Sequence, residues 1–486
     1  MKKAWIIILA TMLLLAACQP TPEEDVVINR GDTDVDAIIA ASAPSTSEAS
    51  PSAQPTSEPT QSPTPTSEAP ESPDPALVQV AEGENPVFPA RYEDRIENDY
   101  TYVLIDADVI TNGLTSYPVY EVKRKEIEAE QVRLVASEII TDIVGYREGS
   151  ARAKSDIEEL MKKAEAGGCE QEIGWLTDYY KAAEDFKYTE TDELQIPDDW
   201  NSQTYLRSDG YTSTIVSFAN YSAYNDSLVV DRIRDSMVLD RYELNLFYWN
   251  EEENRPFCTI EPELSQQEAE EILVEFLQRT KLDGYVPTSA TPRICMCQMT
   301  REVISMGWHF KIVRAFEYYP REVGMVDGTN GGVFTRGAEI VPRTAPWSAE
   351  YMEAYVDKDG VACFAWHSAI EVVGKVNENV KLTDFDTVAK NATELFSNAI
   401  ELTKEKANER GDYETGDYVE IKEIILTLSL QKAKDKRDTA YLLPTWVFMV
   451  DDCTDPEWGG LVYHQTYGFS AIDGSWVSLN FWGPYY

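Results

Sequence analysis

Histidine is nearly absent, with three residues in 486. That leaves little material for His-based acid–base chemistry or a multi-His zinc site. Basic residues are scarce too: 42 Lys and Arg stand against 85 Asp and Glu, a formal net charge of −43. Counterion release, which drives nucleic-acid binding, needs clustered cations, so nucleic acid is excluded as a partner. The same charge opposes docking on anionic lipid headgroups. The sequence has no Gly-x-Ser-x-Gly elbow, no phosphate-binding Gly-x-x-x-x-Gly-Lys-Ser/Thr loop, no His-Glu-x-x-His and no Gly-x-Gly-x-x-Gly. No cofactor and no catalytic residue is implied. Rings are missing from a long N-terminal stretch: none lies between Ile6 and Val87, whereas 52 of 53 aromatics lie from Phe88 onward.

What is present begins with an address. Lys2 and Lys3 precede the apolar run Ala4–Ala17, which ends in Leu15-Ala16-Ala17-Cys18. That run is short for a span of ~20 residues and has the flanks of a signal peptide, here residues 1–17. Leu-Ala-Ala-Cys resembles the lipobox of bacterial lipoproteins. The resemblance implies a diacylglyceryl group on the Cys18 thiol, cleavage before it, and a chain anchored in the cell membrane on its extracytoplasmic face. Two acyl chains, at ~0.8 kcal/mol per buried CH₂, hold much more firmly than one. The plain alternative is an ordinary signal peptide with a chance Cys at the cut.

Residues 18–85 read as a disordered linker. Residues 41–75 hold nine Pro and fourteen Ser or Thr, and Thr-Ser-Glu recurs at 46, 56 and 66. Such a segment buries too little apolar surface to offset its ordering entropy. Its Pro content favours extended polyproline II at ~3.1 Å per residue, giving a reach on the order of 100–200 Å. It suits a stalk through a cell wall, open to O-glycosylation, or a merely tolerated spacer.

From residue 86 the chain has the composition of an α+β fold with antiparallel sheets and packed helices. An N-terminal unit is expected over 86–255, with strands near 100–110, 117–122, 211–219, 227–233 and 242–249, a helix near 127–143, and a second helix over 151–166. A C-terminal unit is expected over 256–486. Ser265 and Glu268 form a capping-box pattern before the apolar stripe Ala269, Ile272, Leu273, Phe276 and Leu277. Thr383–Asp386 opens a second such stripe through Val388, Ala392, Leu395 and Phe396. Strand-like runs follow each helix (293–304, 308–319, 351–357 and 361–370; then 418–430, 441–450, 466–472 and 475–480). Each set closes on an Asp-Gly hairpin signal. Residues 262–375 and 380–486 are therefore expected to be two copies of one helix-plus-four-strand unit.

The pieces Cys18-Gln-Pro-Thr-Pro, LIDADVI with YPVYEV, LLPTWVF and AIDGS resemble a family of uncharacterised bacterial surface lipoproteins that carries only a domain-of-unknown-function label. The helix-plus-four-strand unit is also similar to PepSY-type domains and YycI-type exported regulators of sensor kinases. Neither resemblance assigns a catalytic residue to any position here.

Local chemistry is sparse. Cys295, Cys297 and Met299 alternate and so share one face of a strand; with His309 they would form a soft set suited to Cu(I). The plainer reading is small hydrophobes on a buried face. The six cysteines other than Cys18 allow 15 pairings. His309, His367 and His464 lie among aromatics, as structural histidines do. Asp106 and Asp108 share a strand face and could act as an acid–base pair. Asp357-Lys358-Asp359-Gly360 suggests a calcium loop but lacks its further carboxylates, so a hairpin turn is expected. The expected role is a tethered binding, regulatory or scaffold module with a bilayer, envelope-protein or cell-wall partner. A carbohydrate or peptide receptor, and a cell-envelope hydrolase, are the alternatives.

Overall fold

The computed structural model describes residues 88–98, 102–111, 116–149, 153–167, 170–183, 187–196, 202–208, 212–218, 227–232, 239–243, 261–297, 303–316, 325–326, 347, 349–410, 418–433, 438–453 and 462–477. Cys18, the linker, Met299 and Asn112-Gly113, a turn signal between the expected strands at 100–110 and 117–122, lie outside them. The fold is α+β, with two mostly antiparallel sheets.

Among the described residues, one order of elements occurs three times: a helix, then an antiparallel four-strand meander. The first unit is α1 (Ala129–Ile139) followed by β4 (Ile143–Glu148), β6 (Ser202–Arg207), β7 (Thr212–Phe218) and β8 (Ser227–Asp231). Between its β4 and β6 lie two further helices, α2 (Lys154–Gly167) and α3 (Glu170–Ala182), and the short β5 (Thr189–Glu190). The second unit is α4 (Gln266–Arg279), then β10 (Tyr285–Cys297), β11 (Val303–Arg314), β13 (Tyr351–Asp357) and β14 (Gly360–His367). The third is α5 (Phe385–Arg410), then β16 (Tyr418–Lys432), β17 (Thr439–Cys453), β18 (Val462–Ser470) and β19 (Trp476–Val477). The two later units have this order and strand path in common; the first was not foreseen.

The last strands of the first two units pair with each other. β8 lies antiparallel to β14, with Val230 opposite Phe364 and Leu228 opposite Trp366. The two meanders thereby join as eight strands, which β5 and β9 (Leu239–Glu243) at the edges extend to a ten-strand sheet. Helices α1 and α4 cover one face. Val132, Val135 and Ile139 of α1 and Leu273, Phe276 and Leu277 of α4 share a core with Tyr205, Ile215, Val230, Phe310, Phe364 and Trp366. Each such side chain contributes roughly 1.5–3 kcal/mol on burial. The two helices also meet directly, through Arg279 Nε to Glu138 at 2.8 Å and Gln131 Nε2 to the Thr280 carbonyl at 2.8 Å. The capping box is formed: Ser265 Oγ accepts from the Glu268 amide, and the Ser265 amide donates to the Glu268 carboxylate.

The third unit lies in a nine-strand sheet with β1 (Arg91–Glu97), β2 (Tyr102–Ile110), β3 (Val119–Arg124), β12 (Met325–Val326) and β15 (Ile370–Asn377). Here β2 runs parallel to β16. Phe385, Val388, Ala392 and Phe396 of α5 pack with Ile105, Ile424, Trp446, Phe448 and Phe469. Phe88, at the start of the described chain, stands edge-on to Trp446 at 4.9 Å.

The boundary expected at 255–256 does not separate the sheets. β2, in the first stretch, completes its pairing on β16, and β8 completes its own on β14. Strand edges left open by the N-terminal stretch are satisfied by strands far downstream, which removes exposed edges and interleaves the expected units. Gly307, which falls between the expected runs 293–304 and 308–319, lies inside β11, opposite Arg293 and Asp357.

Candidate functional site

Among the described residues, three polar clusters and an exposed aromatic pair stand out. The first cluster centres on Glu350, a buried carboxylate just before β13. Its Oε1 accepts from Tyr285 Oη at 2.8 Å, Trp366 Nε1 at 3.0 Å and the Ile370 amide at 3.1 Å. Arg314 Nε reaches Oε2 at 2.8 Å. Burial and the neighbouring carboxylate push the Tyr285 phenol well above its ordinary range. For Arg314, burial opposes the charge, yet Glu350 holds the guanidinium above its ordinary value. Ile370 opens β15 in the nine-strand sheet while the other partners belong to the ten-strand sheet. Glu350 therefore fastens the point where the chain passes between the sheets, through charge-assisted bonds.

The second cluster is Arg232 with Asp357. The guanidinium follows β8, the carboxylate ends β13, and both side chains are buried. Asp357 Oδ1 also accepts the Asp359 amide at 3.0 Å, and Gly360 takes φ +105° to close the turn. The Asp-Lys-Asp-Gly segment is thus the expected hairpin, and Arg232 occupies the carboxylate a cation would need.

The third cluster lies on the ten-strand sheet's face opposite α1 and α4. His309 Nε2 is 3.1 Å from Glu353 Oε2. Register explains the pair: His309 stands opposite Tyr355 and Glu353 opposite Lys311, so they are diagonal neighbours on adjacent strands. His367, on the next strand, stacks on Tyr351 with centroids 4.5 Å apart and planes at 19°. Burial would raise the Glu353 carboxyl, but the His309 hydrogen bond and the charges of His309, His367 and Arg293 hold it below its ordinary range. Burial lowers the His367 imidazole, which Glu353 only partly offsets.

Cys295 lies on that same face, buried beside Tyr355, Ala362 and Ile304. It stands opposite Ser305, four residues from His309 along β11, or ~13 Å at 3.3 Å per residue. The fold therefore does not bring His309 to Cys295. Cys297 stands opposite Leu239 in β9. Among the described residues no group of three metal-capable side chains converges. Asp106 and Asp108 do share a face, and both bind Arg91 of the neighbouring strand, Asp108 at 3.0 Å. His464 lies in β18, opposite Asp451.

The aromatic pair belongs to the α2–α3 excursion. Ile157, Leu160, Ala164 and Leu176 form a core of their own, with Ile173 and Tyr180 packed on it. The Tyr180 hydroxyl donates to Glu158 at 2.8 Å and ties the helices together. Trp175 and Tyr179 remain 57% and 56% exposed, one helical turn apart. Sequence reasoning passed over this helix, although its signal is legible. Ile173, Leu176 and Tyr180 recur at helical spacing, which puts Trp175 and Tyr179 on another face. The short connections of the other two meanders, residues 298–302 and 433–438, contrast with 149–201 here.

No family model and no curated protein matches this chain. Among solved structures, an uncharacterised protein from Eubacterium rectale ATCC 33656 is similar over 81% of this chain and 94% of its own, at 12% identity and a TM-score of 0.41.

Proposed function

We propose that this chain is a lipid-anchored, extracytoplasmic binding module, held to the membrane through acyl chains on Cys18 and presenting its folded part to an envelope partner. The Lys2/Lys3 flank, the apolar run and Leu15-Ala16-Ala17-Cys18 support the anchor. The observation that carries the binding role is the aromatic pair: Trp175 and Tyr179 stand more than half exposed on a helical excursion with a separate core. Large exposed rings on elements added to a scaffold mark recognition surfaces. Glu350 and Asp357, by contrast, are enclosed by donors from several strands, which supports structural roles for them.

The test has two arms. Labelled fatty acid should enter the wild-type chain and not Cys18→Ala; incorporation into the variant refutes the anchor. Chemical crosslinking in intact cells should capture a partner with the wild-type chain and lose it when Trp175 and Tyr179 are both replaced by Ala. Undiminished capture by that variant moves the binding role elsewhere on the fold.

A further inference from the structure

The α2–α3 hairpin is an addition to the first unit, with a small core of its own. At ~100° per residue, Asp178, Trp175 and Tyr179 fall within about 100° of arc on α3, and all three are exposed. Lys181 lies about 160° round the helix from Tyr179. It reaches Asp178 at 2.8 Å as a largely exposed pair. Such a pair contributes little in water, so an incoming cation can compete for the Asp178 carboxylate.

Elsewhere the chain lays its own cations on half-buried rings. Lys154 Nζ lies 5.6 Å from the Tyr180 centroid on this same hairpin, Arg147 Cζ 5.4 Å from Tyr188, and Arg95 Cζ 4.7 Å from Tyr102. Among the described residues, Trp175 and Tyr179 carry no such cation. Charge then selects the occupant. Residues 150–190 hold ten Asp or Glu against six Lys or Arg, and the whole chain carries −43. A field of that sign draws in a cationic partner and repels a second copy or an anionic lipid surface. An extended segment presents alternate side chains on one side at roughly 6.6 Å. That is close to the ~6 Å rise from position 175 to 179 on α3, so cations two residues apart can address both rings.

We infer that Trp175 and Tyr179, beside Asp178, dock an extended lysine- or arginine-bearing segment of an envelope protein, with its cations on the two ring faces. This rests on the binding-module reading above and names the partner's chemistry. An exposed cation–ring contact amounts to roughly two- to fivefold in affinity. Both rings together supply about tenfold, on top of a general attraction that salt screens.

The experiment uses the full-length lipidated chain in nonionic detergent and follows the fluorescence anisotropy of a labelled peptide of alternating arginine and serine. The peptide should bind at low salt and weaken as salt rises. Replacing both Trp175 and Tyr179 by Leu should weaken it by about tenfold, and Val376→Ser, an exposed change on β15, should leave it unaltered. Leu keeps apolar area and helix propensity but removes the π-face, so a Leu double variant that binds like the wild type overturns the cation–ring contact. A matched peptide of alternating glutamine and serine should not bind. Equal affinity for that neutral peptide, or for soluble N-acetylglucosamine oligomers, overturns the cationic assignment. If the arginine peptide fails to bind while crosslinking in cells still captures a protein through the same rings, the binding-module reading stands and this inference falls.

Discussion

Arg232 Nη2 lies 2.6 Å from both carboxylate oxygens of Asp357, and Nη1 donates to the Asp359 carbonyl at 3.0 Å. The residues are 125 positions apart in sequence. They meet because β8 and β14 are the strands through which the first two meanders join. The Arg232 amide adds a 2.7 Å bond to the Ala362 carbonyl at the same seam. A buried pair of this kind contributes little net stability over apolar residues, but removing one partner strands a charge. Asp357→Ala should therefore destabilise the fold by about 3–5 kcal/mol. The Arg232→Met, Asp357→Leu double replacement should recover most of the loss. Urea midpoints of the three chains check both statements, and a double variant as unstable as the single would show that the seam needs the pair itself.

Gly307, opposite Asp357, makes a second demand at this place. A Cβ at Gly307 would meet the Val356 carbonyl oxygen at 2.1 Å and its carbon at 2.8 Å. Those atoms are backbone inside a sheet, so the strand must move. Gly307→Ala should cost about 1–3 kcal/mol or more, as overpacking does, whereas Gly284→Ala, with open space around it, should cost much less. Thermal midpoints of the two variants make the comparison.

Acid should weaken the fold in two steps. The folded-state His367 imidazole lies below its ordinary value of 6.5, so as pH falls through 6.5 the unfolded chain takes up a proton before the folded one. Stability therefore declines below that pH until folded His367 also protonates. Glu353 is held below its ordinary 4.5. Its contribution is fully present above 4.5 and is lost as pH falls through its lower folded-state value. Denaturant midpoints at pH 7.5, 5.5 and 4 should decrease in that order. His367→Gln should flatten the first interval and, by removing one of the charges that hold Glu353 low, also lessen the second; an unchanged first interval would remove His367 from the account.

Local signals in the sequence carried over into the fold where they were self-contained. Ser265 with Glu268 caps α4, and Asp359-Gly360 turns the β13–β14 hairpin because Gly accepts the positive φ there. What was not legible depends on register between distant strands. Glu350 draws donors from residues 285, 314, 366 and 370, and no window of sequence contains them together. His309 finds Glu353 only as a diagonal neighbour across β11 and β13. The first meander escaped notice because 53 residues separate its first two strands. Gly307 falls between two expected strands, but it lies within one and marks close approach of a neighbouring backbone.

The separate core of the α2–α3 hairpin has a thermodynamic consequence. Leu176 is fully buried, and its core partners Ile157, Leu160 and Ala164 all belong to α2. Truncating a buried Leu to Ala costs roughly 2–5 kcal/mol, a loss that falls first on whatever unfolds as one unit with it. Two helices joined by so few apolar side chains form a low-stability unit that opens before the sheets do. Leu176→Ala should therefore expose residues 150–190 to limited proteolysis and speed amide exchange there, while the main thermal transition shifts little. Leu273→Ala in α4 removes the same side chain from the core shared by both meanders, and it should lower the main transition itself. If Leu176→Ala instead lowered that transition as much as Leu273→Ala, the hairpin would be an integral part of the sheet's core. The rings it presents would then be held by the whole fold.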